Sequence, residues 1–98
     1  MTAEIKINIG SGPTKWVGWI NYDEVTCEGV TPLVLSPDVV LPLDSNSVSI
    51  AYCSHTFEHL PDATISRILD EVWRVMSADG IFVLKFPILN ILFRVCFL

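Results

Sequence analysis

The residues best suited to chemistry fall into three stretches. Gly10 and Gly12 flank Ser11 in a Gly-x-Gly turn, Asp23 and Asp38 follow, and His55-Thr56-Phe57-Glu58-His59 brings two imidazoles and a carboxylate close together. Glycine lets a backbone take φ > 0 and approach a bound molecule closely. A carboxylate at a strand end can accept both hydrogen bonds of a ribose diol. His55, Glu58 and His59 spell H-x-x-E-H, which on a helix would set two imidazoles on one face for a zinc ion, with the glutamate as base. Pro61 ends any such helix two residues later, so the favoured reading is that Glu58 and His59 brace a turn.

These residues need elements to hold them. Residues 5–9 alternate apolar and polar side chains and run directly into the glycine turn, the pattern of a strand entering a sharp loop. Residues 19–22 form a second short strand ending at Asp23, and residues 33–35 a third ending near Asp38. Residues 48–53 form a fourth strand, preceded by the turn Asp44-Ser45-Asn46-Ser47. Asp62 is the expected N-cap of a helix over residues 63–77, whose apolar residues Ile65, Ile68, Leu69, Val72, Trp73 and Met76 recur at helical spacing. Arg67–Glu71 and Asp70–Arg74 are the expected i, i+4 ion pairs, and Gly80 the expected stop. A continuous apolar strand over residues 81–86 completes a βαβ unit, and strands this apolar suit a parallel sheet covered on both faces. The fold class is therefore α/β. Only six residues separate Gly12 from Trp19, too few for a crossover helix, so a compact loop is expected there.

In such a sheet, ligands sit beyond the carboxyl ends of the strands, where Gly10, Gly12, Asp23 and Asp38 fall. Three loops share the Gly-x-Gly start. A phosphate loop requires GxxxxGK[ST], which Lys15 does not fit, and a dinucleotide fingerprint requires a third glycine where Lys15 stands. The third is a loop around S-adenosylmethionine.

Composition narrows the partners. The 98 residues suffice for one small domain; half are apolar, 17% are charged, and the net charge is -5. An acidic chain repels phosphate backbones, so no nucleic-acid partner is expected. Cys27, Cys53 and Cys96 have no paired spacing, which argues against a disulfide framework or a zinc site and fits a reducing, cytoplasmic setting. No signal peptide is read in residues 1–9. Of residues 88–98, nine of eleven are apolar. That run is too short to span a membrane and reads as a buried helix or strand needing a covering partner or segment.

Four blocks resemble the class I S-adenosylmethionine-dependent methyltransferases, close to the methyltransferase type 11 group. Lys6-Ile7-Asn8-Ile9-Gly10-Ser11-Gly12-Pro13 resembles the first cofactor motif, and Gly18-Trp19-Ile20-Asn21-Tyr22-Asp23 the second strand. Asp38-Val39-Val40-Leu41-Pro42-Leu43-Asp44, running on to Ser54-His55-Thr56-Phe57-Glu58-His59-Leu60, resembles the stretch "LPF…D…S…LEHL". Leu69-Asp70-Glu71-Val72-Trp73-Arg74-Val75-Met76-Ser77-Ala78-Asp79-Gly80 resembles the helix and turn before the fifth strand.

The resemblance implies a Rossmann-like, mostly parallel sheet of about five strands, with residues 1–98 forming a single S-adenosylmethionine-binding domain that lacks the family's C-terminal antiparallel hairpin. It implies that Gly10, Ser11 and Gly12 approach the methionine part of the cofactor and that Asp23 holds the ribose. Asp38 and Val39 would face adenine; Ser54 and His55 would lie near the methyl group, with His55 the candidate catalytic residue. Asn8 stands where relatives often carry an acid and keeps hydrogen-bonding capacity without charge. The implied function is methyl transfer to a small-molecule or other acceptor that the sequence does not identify. Two alternatives remain open: a degenerate, non-catalytic cofactor-binding module, and an NAD- or nucleotide-binding α/β domain.

Overall fold

The computed structural model describes residues 4–12, 15–25, 27–54, 56–86 and 89–94. Its strands are β1 (Ile5–Ile9), β2 (Ile20–Asp23), β3 (Thr31–Pro32), β4 (Val48–Ser54), β5 (Met76–Phe86) and β6 (Leu89–Arg94). A 3-10 turn (Phe57–His59) and helix α1 (Asp62–Val75) connect β4 to β5. The strands form one sheet in the order β3-β2-β1-β4-β5-β6, parallel throughout except that β6 runs antiparallel to β5. The α/β class and the mostly parallel sheet agree with expectation. The sheet carries one strand beyond the five, because part of the apolar tail pairs with the outer edge of β5, whose N–H and C=O groups would otherwise stay open.

Strand register sorts the side chains between the two faces. Ile7, Ile20, Ala51 and Phe82 are laterally aligned, as are Tyr22, Ile9, Cys53 and Leu84. With Ile68, Val72 and Val75 of α1 and with Val39 and Leu41 they form the core on the helix side. A Leu or Ile buried this way stabilises by about 1.5–3 kcal/mol.

The opposite face is held differently. Asn8 donates to Asn21 Oδ1 at 3.2 Å, and Asn21 also binds the Trp16 N–H (3.2 Å), the Trp16 carbonyl (3.1 Å) and the Trp19 carbonyl (3.3 Å). All four hydrogen-bonding sites of the Asn21 amide are thereby used. Trp16 packs on Tyr52 with centroids 4.7 Å apart and meets Trp19 edge-on at 4.8 Å. Asn21 thus pulls the β1–β2 connection across the sheet, and residues 15–19 form the expected compact loop instead of a helix.

Several local expectations are corrected. Asp62 is the first residue of α1 and Pro61 occupies the cap position, with no side-chain cap bond. The buried face of α1 is Thr64, Ile68, Glu71, Val72 and Val75, while Leu69 and Trp73 are exposed. Among the described residues the ion pair formed is Glu71–Arg74 at 2.8 Å, because both side chains turn toward the segment before β4. β3 lies at Thr31–Pro32 beside Tyr22 and Asp23, not at residues 33–35.

α1 ends at Val75, and β5 starts at Met76, before the expected strand. Register with β4 shifts between Val48 and Ile50, near Asp79 with its φ of 62°. Gly80 is no helix stop: a Cβ there would lie 2.6 Å from Met76 Cε and 2.9 Å from the Ser77 carbonyl oxygen, so close packing demands glycine.

Candidate cofactor cleft

β1 lies between β2 and β4, so strand order reverses at the β1/β4 junction, and the ends of these strands open a crevice. A cleft of about 360 Å³ occupies that position, lined by Gly10, Asp23, Glu24, Leu35, Thr56, His59 and Leu60. Its volume lies in the range of small-molecule sites.

The glycine turn is built against the end of β2. The N–H groups of Gly10 and Ser11 both donate to the Tyr22 carbonyl, at 2.8 and 2.9 Å. The Gly12 N–H donates to Asp23 Oδ2 at 2.6 Å, and Val25 N–H to Oδ1 at 3.2 Å. A carboxylate offers about four acceptor positions, so Asp23 keeps capacity for hydroxyl donors. Gly10 and Gly12 have φ of +70° and +58°. A Cβ on Gly10 would run into the Thr56 side chain, with Thr56 Cγ2 at 2.9 Å. A Cβ on Gly12 would meet nothing within 4 Å. Gly10 is therefore a packing requirement, whereas a side chain at Gly12 would meet open space among the described residues.

The other wall is the turn after β4. Phe57 anchors it in the core. Thr56 Oγ1 donates to the Ser54 carbonyl at 3.0 Å, and the N–H groups of His59 and Leu60 close onto the Thr56 and Phe57 carbonyls, each at 3.1 Å. Glu58 and His59 are thus in a 3-10 turn and not on an α-helix. Among the described residues, no group of three His, Cys, Asp or Glu side chains could hold a metal ion. His55 lies outside the described residues.

The remaining site residues are divided. Gly10 and Asp23 line the cleft, and Ser11 and Gly12 belong to its turn. Ser54 ends β4 beneath Thr56. Asn8 lies on the sheet face covered by Trp16, bonded to Asn21, because strand alternation turns it away from its neighbours Ile7 and Ile9. Val39 is a core residue, 5% exposed, whose carbonyl accepts from Arg67 Nε at 2.7 Å. Asp38 is exposed beside it, in a turn where its N–H donates to Ser36 Oγ at 3.3 Å. Leu35 lines the cleft instead, tied to Glu24 Oε1 through its N–H at 3.2 Å. Glu24, Leu35, Thr56, His59 and Leu60 were not expected to line a cofactor site. Glu24 is next to Asp23 in sequence, but Thr56 and Leu60 carry no such signal.

Cys53 is buried in the core. Burial pushes its thiol up to about 12, with Glu58 adding to the rise and a Thr56 hydrogen bond opposing it. It is not a nucleophile near neutral pH.

A second cavity, of about 440 Å³, lies near the amino ends of β1 and β4, lined in part by Leu41, Leu43, Asp44 and Arg74. Arg74 donates to both Glu71 oxygens (2.8 and 3.0 Å), the carbonyls of Leu41 (2.9 Å) and Leu43 (3.0 Å) and Ser45 Oγ (3.3 Å). A guanidinium has five N–H donors, so none remains for a ligand.

No match was found among curated proteins. Two solved structures share the fold. A candidate S-adenosyl-L-methionine-dependent methyltransferase from Methanococcus maripaludis superposes with a TM-score of 0.63 at 14% identity, over 88% of this chain and 49% of its own. The complex between the Haloferax volcanii Trm112 methyltransferase activator and a candidate methyltransferase gives 0.57 at 20% identity, over 83% of this chain and 44% of that one. The chain thus spans about half the length of these neighbours. The family described as "Methyltransferase domain" matches residues 9–84, from the end of β1 through most of β5. Every residue that lines the cleft falls inside that match, and the chain belongs to the methyltransferase-domain family.

Proposed function

We propose that this cleft binds S-adenosylmethionine and that the chain serves methyl transfer to an acceptor not yet identified. One observation carries the reading: the Asp23 carboxylate closes the glycine turn through the Gly12 N–H at 2.6 Å and retains acceptor capacity at the cleft. Asp23 would hold the ribose hydroxyls, the open space at Gly12 would admit the chain's closest approach to the cofactor, and Leu35 and Leu60 would give apolar contact. Asp23 and Glu24 make this wall acidic, which suits a cationic ligand. When bound, the cofactor supplies a methyl group activated by its attachment to a sulfonium. The protein's contribution is to orient nucleophile and methyl group in line. Asn8, Asp38 and Val39 have no part in this assignment. No helix among the described residues is long and apolar enough to cross a membrane.

Thermal unfolding with different ligands tests this reading. S-adenosylhomocysteine at 100 times its dissociation constant adds about 2.7 kcal/mol, which raises Tm by roughly 10 °C or more in a domain this small. NADH and ATP should leave Tm unchanged. A rise with NADH and none with S-adenosylhomocysteine would favour the dinucleotide alternative; no rise with any of them would favour the non-catalytic module.

A further inference from the structure

The cleft holds three titratable side chains, and their hydrogen bonding differs. Asp23 accepts two backbone N–H groups and Glu24 accepts one. His59 lines the same cleft, yet among the described residues no group bonds its imidazole. Its backbone is fixed all the same: Phe57 is sunk in the core, Thr56 packs against Gly10, and the 3-10 turn closes through the His59 and Leu60 N–H groups. An exposed imidazole on an anchored backbone, facing a cleft and without a partner, has the properties of a proton acceptor that is kept available.

We infer that His59 takes the proton released by the methyl acceptor, and that the acceptor is protic, attacking through an O–H or N–H that must lose its hydrogen. This rests on the proposed cofactor site. The acceptor's O–H or N–H bond breaks as a C–O or C–N bond forms; the C–S bond breaks with its electron pair left on sulfur; the proton goes to an imidazole nitrogen and then to water. Asp23 and Glu24 line the cleft with His59, and Glu58 precedes it in its own turn. Three carboxylates thus lie at or beside this end of the cleft. An acceptor that arrives already anionic, such as a carboxylate, would need no such group and would be disfavoured by the same carboxylates.

The test uses the charge difference between two ligands. S-adenosylmethionine carries a sulfonium where S-adenosylhomocysteine carries a neutral thioether. Imidazole nitrogen resonances of the 15N-labelled chain are followed from pH 5 to 8 with each ligand saturating, and H59N identifies the His59 signals against those of His55. If His59 lies beside the transferable methyl, its titration midpoint is lower with S-adenosylmethionine by about half a pH unit or more, the effect of a unit charge within about 10 Å at intermediate dielectric. Binding of both ligands with equal midpoints overturns this inference and leaves the cofactor assignment standing. Failure of both ligands to bind the folded chain overturns the two together.

Discussion

The two ends of the sheet use similar residues for opposite purposes. At the amino end, Glu71 is buried and Arg74 half-buried in a cluster in which the Leu41 N–H donates to Glu71 Oε1 at 2.8 Å and all five guanidinium donors are engaged. At the carboxyl end, Asp23 and His59 face a cleft with hydrogen-bonding capacity unspent. The amino-end cavity is the larger, but its guanidinium has every donor committed to protein acceptors. Unused capacity, more than volume or charge, separates a site from a strut. The Glu71–Arg74 cluster straps residues 39–45 to α1, and that segment leads into β4, whose far end carries the Thr56 wall.

If that contrast is right, substitutions at the two ends should separate stability from binding. The largest effect is expected at Glu71. Glu71→Ala leaves the Leu41 N–H and the Arg74 guanidinium short of an acceptor, and should cost about 3 kcal/mol in urea unfolding. Asp23→Ala should weaken S-adenosylhomocysteine binding by about 10- to 100-fold, the range for hydrogen bonds to a charged group, with a smaller effect on unfolding.

The two glycines sharpen the carboxyl-end description. Gly10→Ala should destabilise by about 2 kcal/mol, from positive φ and collision with Thr56. Thr56→Ala should recover part of that loss in a double-mutant cycle. Gly12→Ala bears only the strain of its φ, about 1 kcal/mol, and its added methyl enters open space beside the glycine turn. The first substitution should act on folding and the second mainly on ligand affinity.

The pH dependence is smaller and belongs to the amino end. The Arg74 hydrogen bond holds the Glu71 carboxyl below its ordinary value, against burial, with the Leu41 N–H and the nearby charges assisting. Its folded-state pKa therefore lies below the unfolded value of about 4.3. The stabilisation is present above that value and is lost as pH falls through the folded pKa. Urea midpoints of the wild type and Glu71→Gln should differ at pH 7 and converge toward pH 3.

Much of this was legible in the residues. Alternation over residues 5–9 located β1 to the residue, and the apolar run after Gly80 located the core of β5. The Gly-x-Gly turn and Asp23 identified one wall of the cleft, since strand-end chemistry is local. What escaped depends on tertiary register. Asn8 lies one residue from Ile9, yet its side chain belongs to the other face of the sheet, and Asn21 and Trp16 claim it. Val39, which the resemblance sets toward adenine, has its carbonyl taken by Arg67, 28 positions later, and its side chain by the core. The face of α1 was misjudged because Glu71 is buried by its partners in the 39–45 segment, which no periodicity reports. His55 lies outside the described residues, and His59, weighed earlier for a metal or a turn, lines the cleft.

The central claim is that the carboxyl-end cleft holds an S-adenosylated cofactor through Asp23. Calorimetric titration of the chain with S-adenosylhomocysteine, beside Asp23→Ala, tests it most directly. The account predicts saturable, one-to-one binding that is weakened at least tenfold in the variant. Equal affinity in a folded Asp23→Ala chain, or no binding by the folded wild type, would contradict it.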